Sequence, residues 1–247
     1  MSEIVIHTEK LTKRFGDFIA ANEITFEVSA GEIFGFLGAN GAGKTTAMRM
    51  LCGLSIPSSG DATIAGFNIY TQTEQIKKHI GYMSQKFSLY EDLTIRENIQ
   101  FFGGIYGLSD KVLEEKTVHL IEQLGLKNQE RKMVGELPLG WKQKLAFSVA
   151  ILHQPKIVFL DEPTGGVDPV TRRQFWDLIY EAAANGITVF VTTHYMDEAE
   201  YCNRISMMVD GVIKALDTPA NLKQQFNAAS MDDVFFELAR GAKRKAD

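Results

Sequence analysis

A continuously apolar run leads directly into a glycine-rich loop and then a helical pattern, and this order constrains the fold most. The run Ile33–Leu37 is typical of a strand buried on both faces of a parallel sheet. After the loop, Met48, Leu51 and Cys52 lie at helical spacing. A buried strand that leads into a helix through a short loop is typical of α/β domains, and we predict this fold class.

The loop itself, Gly38–Thr45, fits the phosphate-binding pattern G-x-x-x-x-G-K-[ST]. Its glycines allow backbone angles at which successive N–H groups converge on phosphate oxygens. The helix that follows directs the positive end of its dipole at the same anion. Lys44 would reach the β and γ phosphates, and Thr45 would place its hydroxyl on Mg²⁺. The flanking strand and helix make a chance glycine turn a poor explanation.

A second apolar run, Ile157–Leu160, ends in two carboxylates, Asp161 and Glu162. Ligands in open α/β sheets bind at the carboxyl ends of strands, so Asp161 would hold Mg²⁺ directly or through water. Glu162 is a candidate general base for an attacking water. Alone, the pair could be a strand that ends in acidic residues by chance. Beside the phosphate loop, it predicts a P-loop ATPase.

Composition restricts the functions that this site can serve. The chain has 247 residues, 45 % of them hydrophobic, and a formal net charge of −5, so bulk binding of nucleic acid is not expected. We expect the basic run Lys243–Lys245 to be a solvated tail. Cys52 and Cys202 form no disulfide or CxxC pattern. The chain has no secretory signal pattern and no apolar stretch of about 18 to 20 residues, so a partner would have to span any membrane on which it acts.

The remaining patterns change along the chain and predict its organisation. Ile4–Leu11 and Ile24–Val28 alternate apolar and polar residues, which predicts half-exposed strands around a turn at Gly16 and Asp17. Residues 90–153 are helical in pattern, and Thr94 is a candidate cap. We predict a core with a mostly parallel sheet flanked by helices (1–85 and 155–220), an N-terminal antiparallel β subdomain, an all-helical lobe (86–154) and a C-terminal segment (221–247). Predicted helices include Lys111–Leu124, one opening at Trp141, Thr171–Ala184 and Met196–Tyr201.

With these motifs in place, the sequence resembles the ATP-binding subunits of ABC transporters from Ile4 to about Leu238. GANGAGKTT, residues 38–46, resembles that family's Walker A motif, and IVFLDEP, residues 157–163, resembles its Walker B motif with the catalytic glutamate. The resemblance implies an ATPase that uses ATP and Mg²⁺ and works with an integral-membrane permease. It assigns nucleotide contacts to Gly38, Ala39, Asn40, Gly41, Ala42, Gly43, Lys44, Thr45 and Thr46.

Four further residues match motifs of this family. Gln85 stands where the family has its Q-loop, which implies contact with Mg²⁺ and the attacking water. Asp168 resembles the D-loop aspartate at the dimer interface, and His194 resembles the switch histidine that contacts the γ phosphate. Phe15 matches the aromatic residue that stacks on adenine. Two structural alternatives stay open: His194 as a structural histidine, and Phe15 in the core with Phe18 stacking on the base.

The signature motif departs from the family pattern, since LPLGW stands at residues 137–141 in place of LSGGQ. Pro138 has neither a hydroxyl nor an N–H group, and Leu139 replaces a glycine. The resemblance implies that Pro138, Leu139 and Gly140 of one subunit complete the ATP site of another. LPLGWKQ is similar to a variant of bacterial exporters for drugs and related lipophilic compounds. Ser230–Leu238 resembles their closing segment, and an ordinary amphipathic terminal helix is an equal alternative there. The rival interpretation is a degenerate site with weak hydrolysis.

We therefore predict an ATPase subunit that drives export by ATP-dependent dimerisation, as a homodimer or heterodimer at the cytoplasmic face of the cell membrane. One alternative is an ABC-type ATPase of translation or DNA repair, which a single P-loop and the lack of a long heptad stretch disfavour. The other is a regulatory sensor that binds ATP without turnover. The predicted catalytic residues are Glu162, His194, Lys44 and Gln85, and the predicted metal ligands are Thr45, Gln85 and Asp161.

Overall fold

The computed structural model describes residues 3–85 and 89–240, and Lys243–Lys245 lies outside this range. The strands are β1 Ile4–Phe15, β2 Phe18–Ser29, β3 Ile33–Leu37, β4 Ser59–Ile64, β5 Phe67–Asn68, β6 Ile80–Met83, β7 Ile157–Asp161, β8 Thr188–Thr193, β9 Arg204–Val209 and β10 Val212–Asp217. The helices are α1 Lys44–Leu51, α2 Thr73–His79, α3 Ile95–Ile105, α4 Asp110–Gln123, α5 Leu139–Ala150, α6 Pro169–Ala184, α7 Pro219–Gln225 and α8 Met231–Ala239, with 3-10 helices at Val134–Glu136 and Met196–Tyr201.

The larger sheet has six strands in the order β10-β9-β3-β8-β7-β6, and only the β9–β10 pair among them is antiparallel. Every residue of β3, β7 and β8 is buried, as the apolar runs predict. One face of these strands packs on α5 and α6, and the other packs on α1 and the smaller sheet. Because β3, β8 and β7 are parallel neighbours, the glycine loop, His194 and the Asp161–Glu162 pair leave the sheet at the same edge.

The smaller sheet is antiparallel, with the order β2-β1-β4-β5. Its first two strands form a hairpin that is longer than the sequence pattern predicts, because their pairing continues to Phe15 and Phe18. The predicted turn between them is confirmed, and its Gly16 has a φ of 59°. The exposed aromatic residues Phe15 and Phe18 therefore lie at the tip of the hairpin, beyond the segments whose alternating pattern predicts strands.

The segment between β6 and β7 contains α3, α4 and α5. The predicted cap at Thr94 is confirmed, since its side chain accepts from the N–H of Glu97 in a capping box. Helix α5 begins at Leu139, two residues before the predicted start at Trp141, with Pro138 as its N-cap residue. The predicted helix at Met196–Tyr201 is a 3-10 helix. Within residues 3–85 and 89–240, no helix has the length and apolar character needed to cross a bilayer.

A cluster of phenylalanine rings joins the two sheets. The ring of Phe190 on β8 lies 5.3–6.0 Å, between centroids, from the rings of Phe26, Phe34, Phe36 and Phe159. Phe26 belongs to the smaller sheet, and the other three rings belong to the larger one. All five are buried, so this cluster holds the β1–β2 hairpin against one face of the larger sheet.

We expect Phe190→Ala to lower the free energy of unfolding by about 3–5 kcal/mol, because the substitution leaves a cavity where four rings meet. Urea denaturation measures the change. The control Phe236→Ala removes a ring that is 61 % exposed, and its effect should stay within about 0.5 kcal/mol. Equal losses in the two variants would contradict the role given to the cluster.

Candidate nucleotide-binding site

The glycine loop passes close to neighbouring strands at two of its glycines, where there is no room for a side chain. Gly43 has a φ of 108°, and a Cβ placed there would lie 2.1 Å from the carbonyl oxygen of Ala20. A Cβ at Gly38 would lie 2.3 Å from the carbonyl oxygen of Met208. Gly43 is also the N-cap residue of α1, which has no side-chain cap. The first-turn N–H groups of α1 therefore face the loop without an intrahelical partner, as an anion site requires.

The amine of Lys44 folds back over this loop. Its Nζ donates to the carbonyl oxygens of Gly38, at 2.8 Å, and Ala39, at 3.1 Å. The same Nζ lies 3.2 Å from Oε1 of Glu162, and the Lys44 side chain is only 4 % exposed. Two of the three ammonium hydrogens are thus held by the loop, and the charge faces the end of β7.

The carboxylate of Glu162 contacts the other three side chains that the sequence predicts to be catalytic. Its Oε2 accepts a hydrogen bond from Nε2 of Gln85 at 3.0 Å and lies 3.0 Å from Nδ1 of His194. Together with Lys44, these contacts bring three separate segments to one carboxylate. Glu162 has a φ of 48°, which is uncommon for a non-glycine residue, and its N–H donates to Thr192. Backbone strain of this kind occurs at functional sites, where surrounding contacts maintain it.

Asp161 lies under this cluster and is 1 % exposed. Its Oδ1 accepts hydrogen bonds from the hydroxyls of Thr192, at 2.7 Å, and Thr45, at 3.2 Å. Burial raises the pKa of Asp161, and the two hydroxyl hydrogen bonds partly oppose this shift. Sequence analysis missed Thr192, because only the pairing of β7 with β8 places it opposite Asp161.

The oxygen atoms of Asp161 and Thr45 are suited to bind Mg²⁺. One carboxylate, on Asp161, lies beside one hydroxyl, on Thr45, at the end of the phosphate loop. Over the described ranges, no group of three or more histidine, cysteine or acidic side chains forms a protein-only cage. Mg²⁺ in nucleotide sites typically binds one or two carboxylates and takes its other ligands from phosphate and water. Gln85 is exposed beside them, with its amide nitrogen on Glu162.

The two candidate adenine-stacking residues, Phe15 and Phe18, lie opposite each other at the tip of the β1–β2 hairpin. Phe15 is 56 % exposed and Phe18 is 54 % exposed, so the alternative that Phe15 belongs to the core is wrong. Lys13 Nζ lies 5.2 Å from the centroid of the Phe15 ring. The hairpin reaches the loop through Ala20, whose carbonyl touches Gly43. Both rings are therefore exposed near the loop, and exposure alone does not choose between them.

The signature residues lie at the start of α5. Pro138 makes no side-chain cap hydrogen bond there. Leu139 is 38 % exposed and borders two pockets, one shared with Gln85 and Glu162 and one shared with Pro138, Gly140 and Asp168. A Cβ at Gly140 would lie 2.4 Å from Cγ2 of Thr171, so this glycine allows α5 to pack closely on α6.

Asp168 is exposed at the start of α6, where it also has a local role. Its carboxylate accepts from the N–H groups of Val170 and Thr171 and from the Thr171 hydroxyl, at 2.6 Å. These hydrogen bonds lower the pKa of Asp168, the Thr171 hydroxyl contributing most. Sequence analysis missed this cap, although an aspartate directly before Pro169 is a typical signal for a helix start.

Comparisons with known proteins agree with this geometry. The family described as "ABC transporter" matches residues 21–165. "Probable multidrug ABC transporter ATP-binding protein YbhF" of Escherichia coli (strain K12) is 50 % identical over 237 residues, which are 96 % of this chain and 41 % of that protein. "Nod factor export ATP-binding protein I" of Rhizobium sp. (strain N33) is 35 % identical over 236 residues, 95 % of this chain and 78 % of that protein. A solved ATP-binding subunit of an ABC transporter has a TM-score of 0.85 at 27 % identity, covering 96 % of this chain and all of that one.

The chain therefore belongs to the ABC transporter family, and it has the fold of that family's ATP-binding subunits. The predicted fold class, a P-loop NTPase core with a mostly parallel sheet and an antiparallel β subdomain, is confirmed. The chain spans less than half the length of the E. coli relative.

We expect Gly43→Ala to weaken ATP binding about tenfold or more, because about 1–3 kcal/mol of backbone strain would deform the loop. Titration with a fluorescent ATP analogue measures the dissociation constant. Gly104→Ala is the matched control, since a Cβ at Gly104 in α3 meets open space. An unchanged dissociation constant in a folded Gly43→Ala variant would contradict the phosphate-binding role of the loop.

Proposed function

We propose that this chain binds and hydrolyses ATP to power an ABC transporter that exports drugs or other lipophilic compounds. The observation that carries the proposal is the meeting of Lys44, Gln85 and His194 on the carboxylate of Glu162, at 3.0–3.2 Å. A structural ion pair would need only one of these partners. The word export in the name of the Rhizobium relative supports the direction of transport, and the word multidrug in the name of the E. coli relative supports the class of substrate.

The residues around Glu162 have complementary roles in hydrolysis. Glu162 takes the proton of the attacking water as a general base, since Thr192 holds its backbone N–H at the end of β7 and Gln85 holds its carboxylate. The Lys44 ammonium binds the β and γ phosphates, exchanging Glu162 for a phosphate oxygen. His194, carrying a hydrogen on both ring nitrogens, donates to the γ phosphate from Nε2 while Nδ1 faces Glu162, and the two cations offset the charge that develops there.

The nucleotide contacts follow from the same geometry. The backbone of Gly38, Ala39, Asn40, Gly41, Ala42 and Gly43, with Lys44, Thr45 and Thr46, surrounds the phosphates, and Phe15 stacks on adenine. Thr45, Gln85 and Asp161 would hold Mg²⁺, which would supply positive charge beside the phosphates.

The second half of each site comes from a partner subunit. Pro138, Leu139, Gly140 and Asp168 are partly or fully exposed on one side of the chain, and we assign them to the ATP site of the opposite subunit. Two ATP molecules thus join a homodimer or heterodimer at the cytoplasmic face of the membrane. The helical lobe, 86–154, transmits closure of the core, 1–85 and 155–220, to an integral-membrane permease, with 221–247 as a C-terminal segment. No nucleic acid is required, as the net charge of −5 suggests.

We expect Glu162→Gln to lower ATP hydrolysis by about 10²–10⁴-fold, because the amide cannot accept the proton of water. Lys44→Ala should lose both hydrolysis and ATP binding. Phosphate release and nucleotide titration measure the two effects. Glu237→Gln and Lys223→Ala are matched controls on the C-terminal helices, where Glu237 is exposed and Lys223 is partly exposed. Wild-type hydrolysis in Glu162→Gln or Lys44→Ala would refute the assignment.

A regulatory ATP sensor is the second candidate, because Pro138 caps α5 without a side-chain hydrogen bond. The motor and the sensor differ in turnover by the unaltered protein. With its permease in membranes, a motor releases phosphate continuously, whereas a sensor binds ATP and releases none. We expect turnover, since Glu162 and His194 keep their geometry; binding without phosphate release would favour the sensor.

A further inference from the structure

Three side chains form a stack that ends at the switch histidine. The guanidinium carbon of Arg172 lies 4.1 Å from the centroid of the Tyr195 ring. The Tyr195 ring lies 4.2 Å from the His194 ring, between centroids, at an interplanar angle of 35°. We call this arrangement the Arg172–Tyr195–His194 stack. Its far end, Nδ1 of His194, lies 3.0 Å from Glu162 Oε2, so the stack reaches the catalytic cluster.

The guanidinium of Arg172 is itself held in place. Its Nε lies 3.7 Å from Oε1 of Glu198, a carboxylate that is 0 % exposed, and its Nη1 lies 3.4 Å from Oδ2 of Asp197. Thr164 donates to the same Glu198 oxygen at 2.6 Å. A buried carboxylate requires a nearby positive charge, and Arg172 supplies one. The guanidinium therefore has little freedom to leave the Tyr195 ring.

We propose that Arg172 and Tyr195 are positioning residues for His194. An ionised carboxylate has only acceptor sites, so the contact with Glu162 places a hydrogen of His194 on Nδ1. The stack holds the imidazole plane in which this hydrogen bond forms. The fixed ring plane and the Nδ1–H contact determine where Nε2 points, and a second hydrogen on Nε2 makes it a donor to the γ phosphate. The inference rests on the proposed role of His194 at the γ phosphate.

The position of Arg172 gives the stack a further consequence. Arg172 follows Thr171 in the first turn of α6, and its N–H donates to the carbonyl of Asp168 at 2.9 Å. Thr171 packs against Gly140 of the signature segment. One helical turn thus contacts the signature through Thr171 and the switch histidine through Arg172. Movement of this turn at the subunit interface would shift His194 through side-chain contacts.

The first test removes the aromatic face and leaves the ion pair with Glu198 intact. We expect Tyr195→Leu to lower kcat for ATP hydrolysis about tenfold, equivalent to about 1.4 kcal/mol, with KM for ATP within about twofold. Tyr195→Phe keeps the ring and is expected to restore kcat. Phosphate release over a range of ATP concentrations separates kcat from KM.

The second test changes the cation. Arg172→Lys keeps the charge beside Glu198 but loses the planar surface that stacks on the ring. We expect it to lower kcat as Tyr195→Leu does. Arg173→Lys is the matched control, because Arg173 also lies over a tyrosine, Tyr201, at 5.6 Å, away from His194. Its kcat should equal that of the wild type.

The third readout does not depend on hydrolysis. In ¹⁵N-histidine-labelled protein without nucleotide, the ring signals of His194, assigned with His194→Gln, report the Nδ1–H tautomer. We expect Tyr195→Leu and Arg172→Lys to reduce this tautomer, and Tyr195→Phe and Arg173→Lys to retain it. Wild-type kcat in both stack variants would overturn the inference, as would unchanged His194 signals. Wild-type hydrolysis by His194→Ala would instead refute the proposed role of His194.

Discussion

The parallel pairing of β3, β8 and β7 is the constraint on which the site depends. Leu37 pairs with Thr193, and Asp161 pairs with Thr192, so three loops leave the sheet at one edge. A slip of one residue in this register would turn every side chain of a strand to the opposite face. The backbone pairing of the strands therefore brings the phosphate loop, the two carboxylates and His194 together, independently of contacts between their side chains.

The charged groups at this edge interact strongly because they are buried. The side chains of Lys44 and Glu162 are 4 % and 8 % exposed, and removing one partner of such a pair costs about 3–5 kcal/mol because a buried charge is left alone. Glu162 also contacts Gln85 and His194, and Asp161 is satisfied by two hydroxyls. A phosphate that enters the loop offers Lys44 a new partner of the same sign as Glu162.

The first turn of α6 connects the catalytic cluster with the signature segment. Asp168 caps this turn, Thr171 packs on Gly140, and Arg172 extends to Tyr195. Gly140 lets α5 pack closely on α6 at this turn, although Pro138 supplies no side-chain cap. The signature segment and the side chains around Glu162 are thus connected through the first turn of α6.

The phosphate loop, the Asp161–Glu162 pair and the buried strands before them can be predicted from the sequence alone, because each is a local pattern of glycines, charges or apolar residues. Local patterns predict helix ends and helix type less well. Helix α5 begins at Leu139 and not at Trp141, and Met196–Tyr201 is helical as predicted but is a 3-10 helix. The contacts of Thr192 and of the Arg172–Tyr195–His194 stack depend on the tertiary structure and cannot be read from local sequence patterns. Thr192 and Asp161 are 31 positions apart in the chain, and strand register alone makes them neighbours. Helix packing likewise places Arg172 over Tyr195, which no spacing in the sequence encodes.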